Sequence, residues 1–238
     1  MIKRSSIPER KTNNKKHRAE PIRKTTKKNF PIYHVAEKII RSLPDKQISE
    51  IPTGIKPMLA TKIDEPFNDK DWVFEVKWDG YRCISYLNNG KADLRSRSNI
   101  SFNKMYTPVL DALTEWDINA VVDGEIIVVN DQGKSDFEAL QKWQQTKEGV
   151  LIYYVFDILW LNGIDLTSLP LSQRKDILKK LVPEKSTIKF SDSIEEYGID
   201  FYDIAKSNEL EGIVGKKKDS SYEPGKRTSN WLKIPAQV

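Results

Sequence analysis

Histidine and cysteine are nearly missing from this chain. Its 238 residues hold two histidines, His17 and His34, and one cysteine, Cys83. A lone cysteine excludes an internal disulfide and fits a reducing, intracellular setting. So few histidines argue against a histidine-based catalytic triad, and no Cys/His cluster has metal-site spacing. No apolar run approaches the ~18 residues needed to span a membrane. The N-terminus is charged but lacks the apolar stretch of a secretory signal. Neither G-x-G-x-x-G nor G-x-x-x-x-G-K-[ST] occurs, which removes the two usual glycine-rich phosphate loops. No internal repeat is visible.

Charge is present, but unevenly. The whole chain carries a net +5. Residues 1–29 hold eleven Lys/Arg against two Glu, a balance of +9, so residues 30–238 carry −4. The basic character lies in a segment with almost no apolar content, which cannot form a core. It reads as a basic tail or linker of the kind that attracts nucleic acid, or as a solubilising end.

Residues 30–56 read as a lead-in: a helix over Ile32–Leu43, then an irregular stretch, "PDKQISEIPTGIKP", whose three prolines end at Pro57. A compact body begins near Pro57. "WVFEVKW" and "CISYLNN" read as strands, and Asn89-Gly90 as a hairpin turn into "KADLRSR". "MYTPVLDALTEW" has helical periodicity despite Pro108. "AVVDGEIIVVN" is a long β-rich run ending at Asp131-Gln132-Gly133. Ser135 is placed to cap a helix through "DFEALQKWQ", with Glu138 at capping-box spacing. "VLIYYVFDILWL" is apolar on both faces and predicts a buried central strand. Ser172 is placed to cap "QRKDILKKL", and "SIEEYGIDFYDIAKSN" reads as one helix. "EGIVGKK" and "NWLKI" read as closing strands. Hairpins and long strands with single helices between them predict an α+β fold with two antiparallel sheets flanked by helices.

With histidine scarce and Cys83 in a predicted core strand, the remaining nucleophile types are Lys, Ser, Thr, Tyr and carboxylates. Polar residues interrupt the β-rich runs at Lys77 and Asp79, Asp123 and Glu125, Asp157, Glu211 and Lys216, and Lys233. Each alone has a plain reading as an outward strand residue or a turn. Together they would line a charged cleft between two sheets.

The ordered set carries a resemblance. Lys77-Trp78-Asp79-Gly80-Tyr81-Arg82 resembles the K-x-D-G-x-R signature of covalent nucleotidyltransferases, the ATP-dependent DNA ligases and their relatives. "DGE" at 123–125, "YVFDILWLNG" at 154–163, "EGIVGK" at 211–216 and "WLKI" at 231–234 follow in the family's order. A lone K-x-D-G is weak, whereas five segments in order are specific. "KPMLAT" at 56–61 and "SYEPGKRTSNWLK" at 221–233 look closest to the ligase domain of bacterial ligase D, the multidomain enzyme of non-homologous end joining. The resemblance covers about residues 52–235 and places an adenylation domain at 57–238.

The resemblance implies a three-step reaction. Lys77 takes AMP from ATP, passes it to the 5′-phosphate of a DNA nick, and a 3′-OH then displaces AMP. It implies that Glu75 reads the adenine amino group, that Arg82 and Arg97 contact ribose and phosphate, and that Phe156 stacks on adenine. Glu125 is implied to hold the ribose hydroxyl or to support Mg²⁺ or Mn²⁺ together with Glu211. Lys216 and Lys233 are implied to meet the phosphates, and Asp79 to act near the nick. Implied partners are nicked double-stranded DNA and other end-joining domains or proteins, for a monomer in the bacterial cytoplasm at the nucleoid. An RNA ligase, a capping-type nucleotidyltransferase and a non-catalytic DNA- or repair-partner-binding module are the alternatives.

Two departures stand out. Where the family's last strand motif carries a second lysine, this chain has Pro235, which offers a phosphate neither a charged side chain nor a backbone N–H. Family ligases also continue into an OB-fold domain, and none is expected here. The expectation is therefore lysyl-AMP formation with weak or incomplete sealing.

Overall fold

The valine- and isoleucine-rich runs alternate between two faces, and this alternation builds the molecule. The computed structural model describes residues 31–183 and 187–236; the basic tail at 1–29 lies outside them. One sheet has seven strands: β1 (Gln47–Ile48), β4 (Tyr81–Asn88), β5 (Lys91–Ser96), β6 (Ala120–Val129), β7 (Val150–Leu161), β8 (Ile164–Asp165) and β9 (Ile188–Phe190). Its order is β1-β8-β7-β6-β4-β5, with β9 also paired to β7. The other has five: β2 (Leu59–Lys62), β3 (Asp69–Val76), β10 (Ser193–Glu196), β11 (Gly212–Lys217) and β12 (Arg227–Pro235), in the order β10-β3-β11-β12-β2.

In β6, Ala120, Val122, Ile126 and Val128 face a large core, while Val121 faces the second sheet. Asp123 and Glu125 share the odd-numbered face with Val121. Helices α1 (Pro31–Ser42), α2 (Thr107–Thr114), α3 (Phe137–Thr146) and α4 (Leu171–Leu181) supply residues to that core. Between the sheets lies a smaller cluster of Met58, Ile84, Val121, Phe156, Leu159, Trp160, Tyr222 and Trp231. Helix α5 (Gly198–Ser207) covers the far face of the five-stranded sheet through Tyr202 and Ala205, against Phe74, Ile213 and Ile234. The order across the molecule is helices, sheet, cleft, sheet, helix.

The α+β expectation holds, with one addition: each sheet contains a parallel pair, β7 with β9 and β12 with β2. Pro108 falls in the first turn of α2, where a missing N–H costs nothing. Asn89 (φ 52°) and Gly90 (φ 71°) make the expected tight turn.

Three local expectations fail. Asp136, not Ser135, caps α3 by accepting from Ala139 N at 2.8 Å, because Ser135 is drawn into a β-bridge with Val129. Helix α4 begins at Leu171 with Pro170 at its cap position, so Ser172 lies inside the first turn. The single helix read over 193–208 is a strand followed by a helix: β10 pairs with the edge of β3, and α5 starts only at Gly198. Pairing to an existing edge overrides local helical periodicity there. The lead-in also joins the body, since α1 buries Ala36 in the main core.

Candidate active site

The stretch that carries Lys77 is a crossover. Strand β3 ends at Val76 in the five-stranded sheet and β4 begins at Tyr81 in the seven-stranded one, so Lys77 to Gly80 bridge the two. A Cβ on Gly80 would sit 2.2 Å from Ile126 O, so only glycine lets the chain turn this close to β6. The Lys77 backbone N–H donates to Gly212 O at 2.9 Å. Gly212 has φ +135°, and a Cβ there would meet Ile234 O at 2.2 Å. Two glycines and one backbone hydrogen bond therefore fix the lysine at the wall of a cleft of about 240 Å³.

Eight of the ten expected residues line that cleft: Glu75, Lys77, Arg82, Arg97, Glu125, Phe156, Lys216 and Lys233. Glu211 is not in its wall but forms an ion pair with the Lys77 ammonium. Asp79 is not in the wall either; it sits in the crossover and acts on Lys77 through charge. The Lys77 side chain is 19% exposed. Burial lowers its pKa from the ordinary lysine value; Asp79 and Glu125 oppose this and the Lys233 ammonium assists it.

Glu125 is pushed up to about 8, first by burial and then by the Asp123 carboxylate, against the pull of Arg82 and Lys77. Arg82 donates to Asp123 from Nε at 2.5 Å and Nη2 at 2.6 Å, and Tyr222 donates to the same carboxylate at 2.7 Å. The guanidinium lies 4.6 Å from the centre of the Phe156 ring and reaches Met58 O at 3.3 Å. Arg82 thus braces the Phe156 ring as well as bordering the cleft. Phe156 also carries the Lys216 ammonium at 4.2 Å.

Glu75 is 2% exposed, yet both its oxygens are used. Lys175 donates to Oε1 at 2.7 Å and Lys216 to Oε2 at 3.0 Å. Burial works to raise the Glu75 pKa, but the two ammoniums outweigh it and hold the carboxyl below its ordinary value. Lys216 itself is lowered to about 8 by burial, with Glu75 opposing. The structure therefore puts the Lys216 ammonium on Glu75. In β12 the cleft face carries Trp231 and Lys233, while Ile234 packs toward α5; Pro235 follows in the Trp231–Lys233 phase, opposite Gly212.

The sequence pointed to no role for Lys175, or for Trp231 and Arg227 in the cleft wall, and it placed Asp123 in the cleft lining, whereas that carboxylate is fully buried behind Arg82. Lys175 sits in "QRKDILKKL", whose charges read as a solvated helix face; only the packing of α4 against β7, next to Phe190, buries it. Asp123 was visible as a carboxylate inside an apolar run, which is the signal that it needs a partner. Asp157 carried the same signal, and its partner is structural: Arg174 holds it at 2.8 and 2.9 Å and also reaches Ser220 O at 3.0 Å.

A half-buried lysine on a short crossover, facing an aromatic ring, an anchored carboxylate and further cations, defines a covalent nucleotidyltransferase cleft. A family model described as ATP dependent DNA ligase domain matches residues 57–234, and the chain belongs to that family, of which this body is the adenylation domain. Among its relatives is the SPbeta prophage-derived DNA ligase-like protein LigB of Bacillus subtilis, 34% identical over 182 residues, covering 76% of this chain and 67% of that protein. The multifunctional non-homologous end joining protein LigD of Mycolicibacterium smegmatis is 34% identical over 185 residues, covering 76% of this chain and 24% of that protein. A solved mycobacterial DNA ligase D complexed with ATP and MES superimposes with a TM-score of 0.69 at 30% identity, over 77% of this chain and 61% of that one. The chain thus spans about a quarter to two thirds of the relatives it matches.

Proposed function

We propose that this domain transfers AMP from ATP to Lys77, passes it to the 5′-phosphate of nicked double-stranded DNA, and supports sealing of the nick. The position of the Lys77 amine supports this best: at the cleft wall, paired with Glu211, and in the field of Lys233. In the first step Nζ attacks the α-phosphorus. The N–P bond forms, the bond to the bridging oxygen breaks and pyrophosphate leaves. The ammonium proton passes to the Glu211 carboxylate, which already holds it by ion pairing.

The remaining side chains divide the nucleotide among them. Phe156 stacks on adenine and Glu75 accepts from its exocyclic amine. Glu125 holds a ribose hydroxyl, with Arg82 and Arg97 bordering ribose and phosphates. Lys233 meets the charge that develops on the phosphate oxygens, joined by Lys216 from its seat on Glu75. Asp79 faces the nick in the later steps, where the 3′-OH attacks the activated phosphate and AMP leaves.

A divalent cation, Mg²⁺ or Mn²⁺, fits this donor set. Among the described residues no three or more His, Cys, Asp or Glu cluster as a metal cage. Nucleotide-site Mg²⁺ commonly takes one or two carboxylates and completes its shell with phosphate oxygens and water. Glu125, in its ionised form, and Glu211 are the carboxylates that would hold the cation, which would supply charge neutralisation on the phosphates. Nicked DNA is the proposed substrate, with other end-joining domains or proteins as partners in the bacterial cytoplasm.

The test is incubation with ATP radiolabelled at the α-phosphate plus Mg²⁺, then a denaturing gel. Label on the wild-type chain and none on Lys77→Ala is the expected result. A wild-type chain that takes no label in Mg²⁺ or Mn²⁺ refutes the reading.

A further inference from the structure

Glu75 is buried, borders the cleft, and is gripped on both oxygens. Its second partner was not expected from the sequence. Lys175 reaches it across 100 positions of chain, from the first half of α4. The Lys175 ammonium also donates to Ser191 O at 3.0 Å and lies 4.7 Å from the centre of the Phe190 ring. Its side chain is 8% exposed, so the contact is built into the packing of α4 on β7, beside Phe190 of β9, rather than made by a wandering surface lysine.

We infer that Lys175 is a positioning residue that keeps Glu75 an acceptor-only carboxylate, and thereby sets the cleft's preference for adenine over guanine nucleotides. This rests on the reading that Glu75 meets the base edge. A carboxylate accepts hydrogen bonds and donates none, and each oxygen has two lone-pair directions. Lys175 and Lys216 take one on each oxygen, leaving acceptor capacity for the adenine amine. Guanine presents a carbonyl oxygen at that position, and a carboxylate repels it. A protonated Glu75 carries an O–H that would donate to that oxygen.

The charged groups around Glu75 make Lys175 decisive. From β11 comes Lys216, whose charge is divided between Glu75 and the Phe156 and Trp231 rings, 4.2 and 4.4 Å away. From β7 comes Asp157, and from α4 Arg174, which are neutralised on each other. From β3 itself comes Lys77, which is turned to Glu211. β10 contributes Ser193 at the register position beside Glu75 and no charge there. Burial favours the neutral acid, so removing Lys175 leaves one shared ammonium against it.

The test follows the ratio of ATP to GTP label, both at the α-phosphate, on Lys77 of the full chain from about pH 5.5 to 8.5, either side of neutrality. Both nucleotides need the same neutral amine and lose the same pyrophosphate, so the ratio cancels the ionisation of Lys77. Wild type and Lys175→Arg are expected to give a flat ratio. Lys175→Met is expected to lose about tenfold or more of that ratio at the acidic end and to recover it as pH rises, the sign for a carboxyl whose pKa has moved up. A Lys175→Met ratio that equals wild type, or falls equally at every pH, overturns the inference. The wild-type profile tests it even where Lys175→Met fails to fold, since loss of ATP preference on acidification is also contrary to it. Glu75→Gln separates the underlying reading: an amide both donates and accepts, so its ratio should drop at all pH values. An unchanged ratio there refutes the role of Glu75 itself, whatever Lys175 does.

Discussion

Lys77 is held by opposing demands. Burial and Lys233 favour the neutral amine that the proposed attack needs, while Asp79, Glu125 and the Glu211 ion pair favour the ammonium. Glu211→Gln should keep the fold and slow lysyl-AMP formation by about 10- to 10³-fold, since a positioned proton acceptor is lost. Lys233→Ala should slow the same step by about 10²- to 10³-fold, as expected when a preorganised donor to a developing oxyanion is removed. Both are read from single-turnover labelling. At Cys83, burial pushes the thiol up to about 12 and its side chain is fully enclosed. An aromatic disulfide reagent near pH 8 should therefore leave the native protein unmodified and label one thiol on denaturation; fast native labelling would contradict the packing. The residue scale was largely legible in the sequence, since polar groups inside apolar strands mark themselves. Lys175 was not, because nothing along a helix separates a buried lysine from a solvated one.

Elements carry the positioning. Helix α4 buries Leu171, Ile177, Leu178 and Leu181 on one side, and this is what brings Lys175 inward. Leu178→Ala, at a fully buried position, should cost about 2–5 kcal/mol of stability in denaturant unfolding. Gly212→Ala should cost about 2–4 kcal/mol, because its φ of +135° and the 2.2 Å approach of Ile234 O leave no room for a methyl group. It should also depress lysyl-AMP formation beyond the stability loss, since Gly212 O anchors the Lys77 backbone. The long strands and their faces were readable from period-two alternation and turn chemistry. The parallel pairs were not, because β2 and β9 are four and three residues long and owe their existence to the partner edge. The same cause turned the first part of an expected helix into β10.

For the whole molecule, charge is divided between a +9 tail and a −4 remainder. Deleting residues 1–29 should weaken DNA binding and flatten its dependence on salt, each lost phosphate contact reducing the log–log slope by about 0.9. Titration of a nicked duplex at two salt concentrations reads this directly; unchanged affinity and slope would remove the tail from DNA binding. Lys77, the proposed nucleophile, sits on the four-residue strut that joins the two sheets. On the proposed reading, attached AMP would rest its base on Phe156 of one sheet and its phosphate, bonded to the strut, among the lysines of the other. The adduct would add a further tie between two layers already joined by the apolar cluster around Phe156 and Trp231. Charged with AMP, the protein should melt at a higher temperature and resist proteolysis better than it does uncharged, and DNA should find it with its cleft already braced.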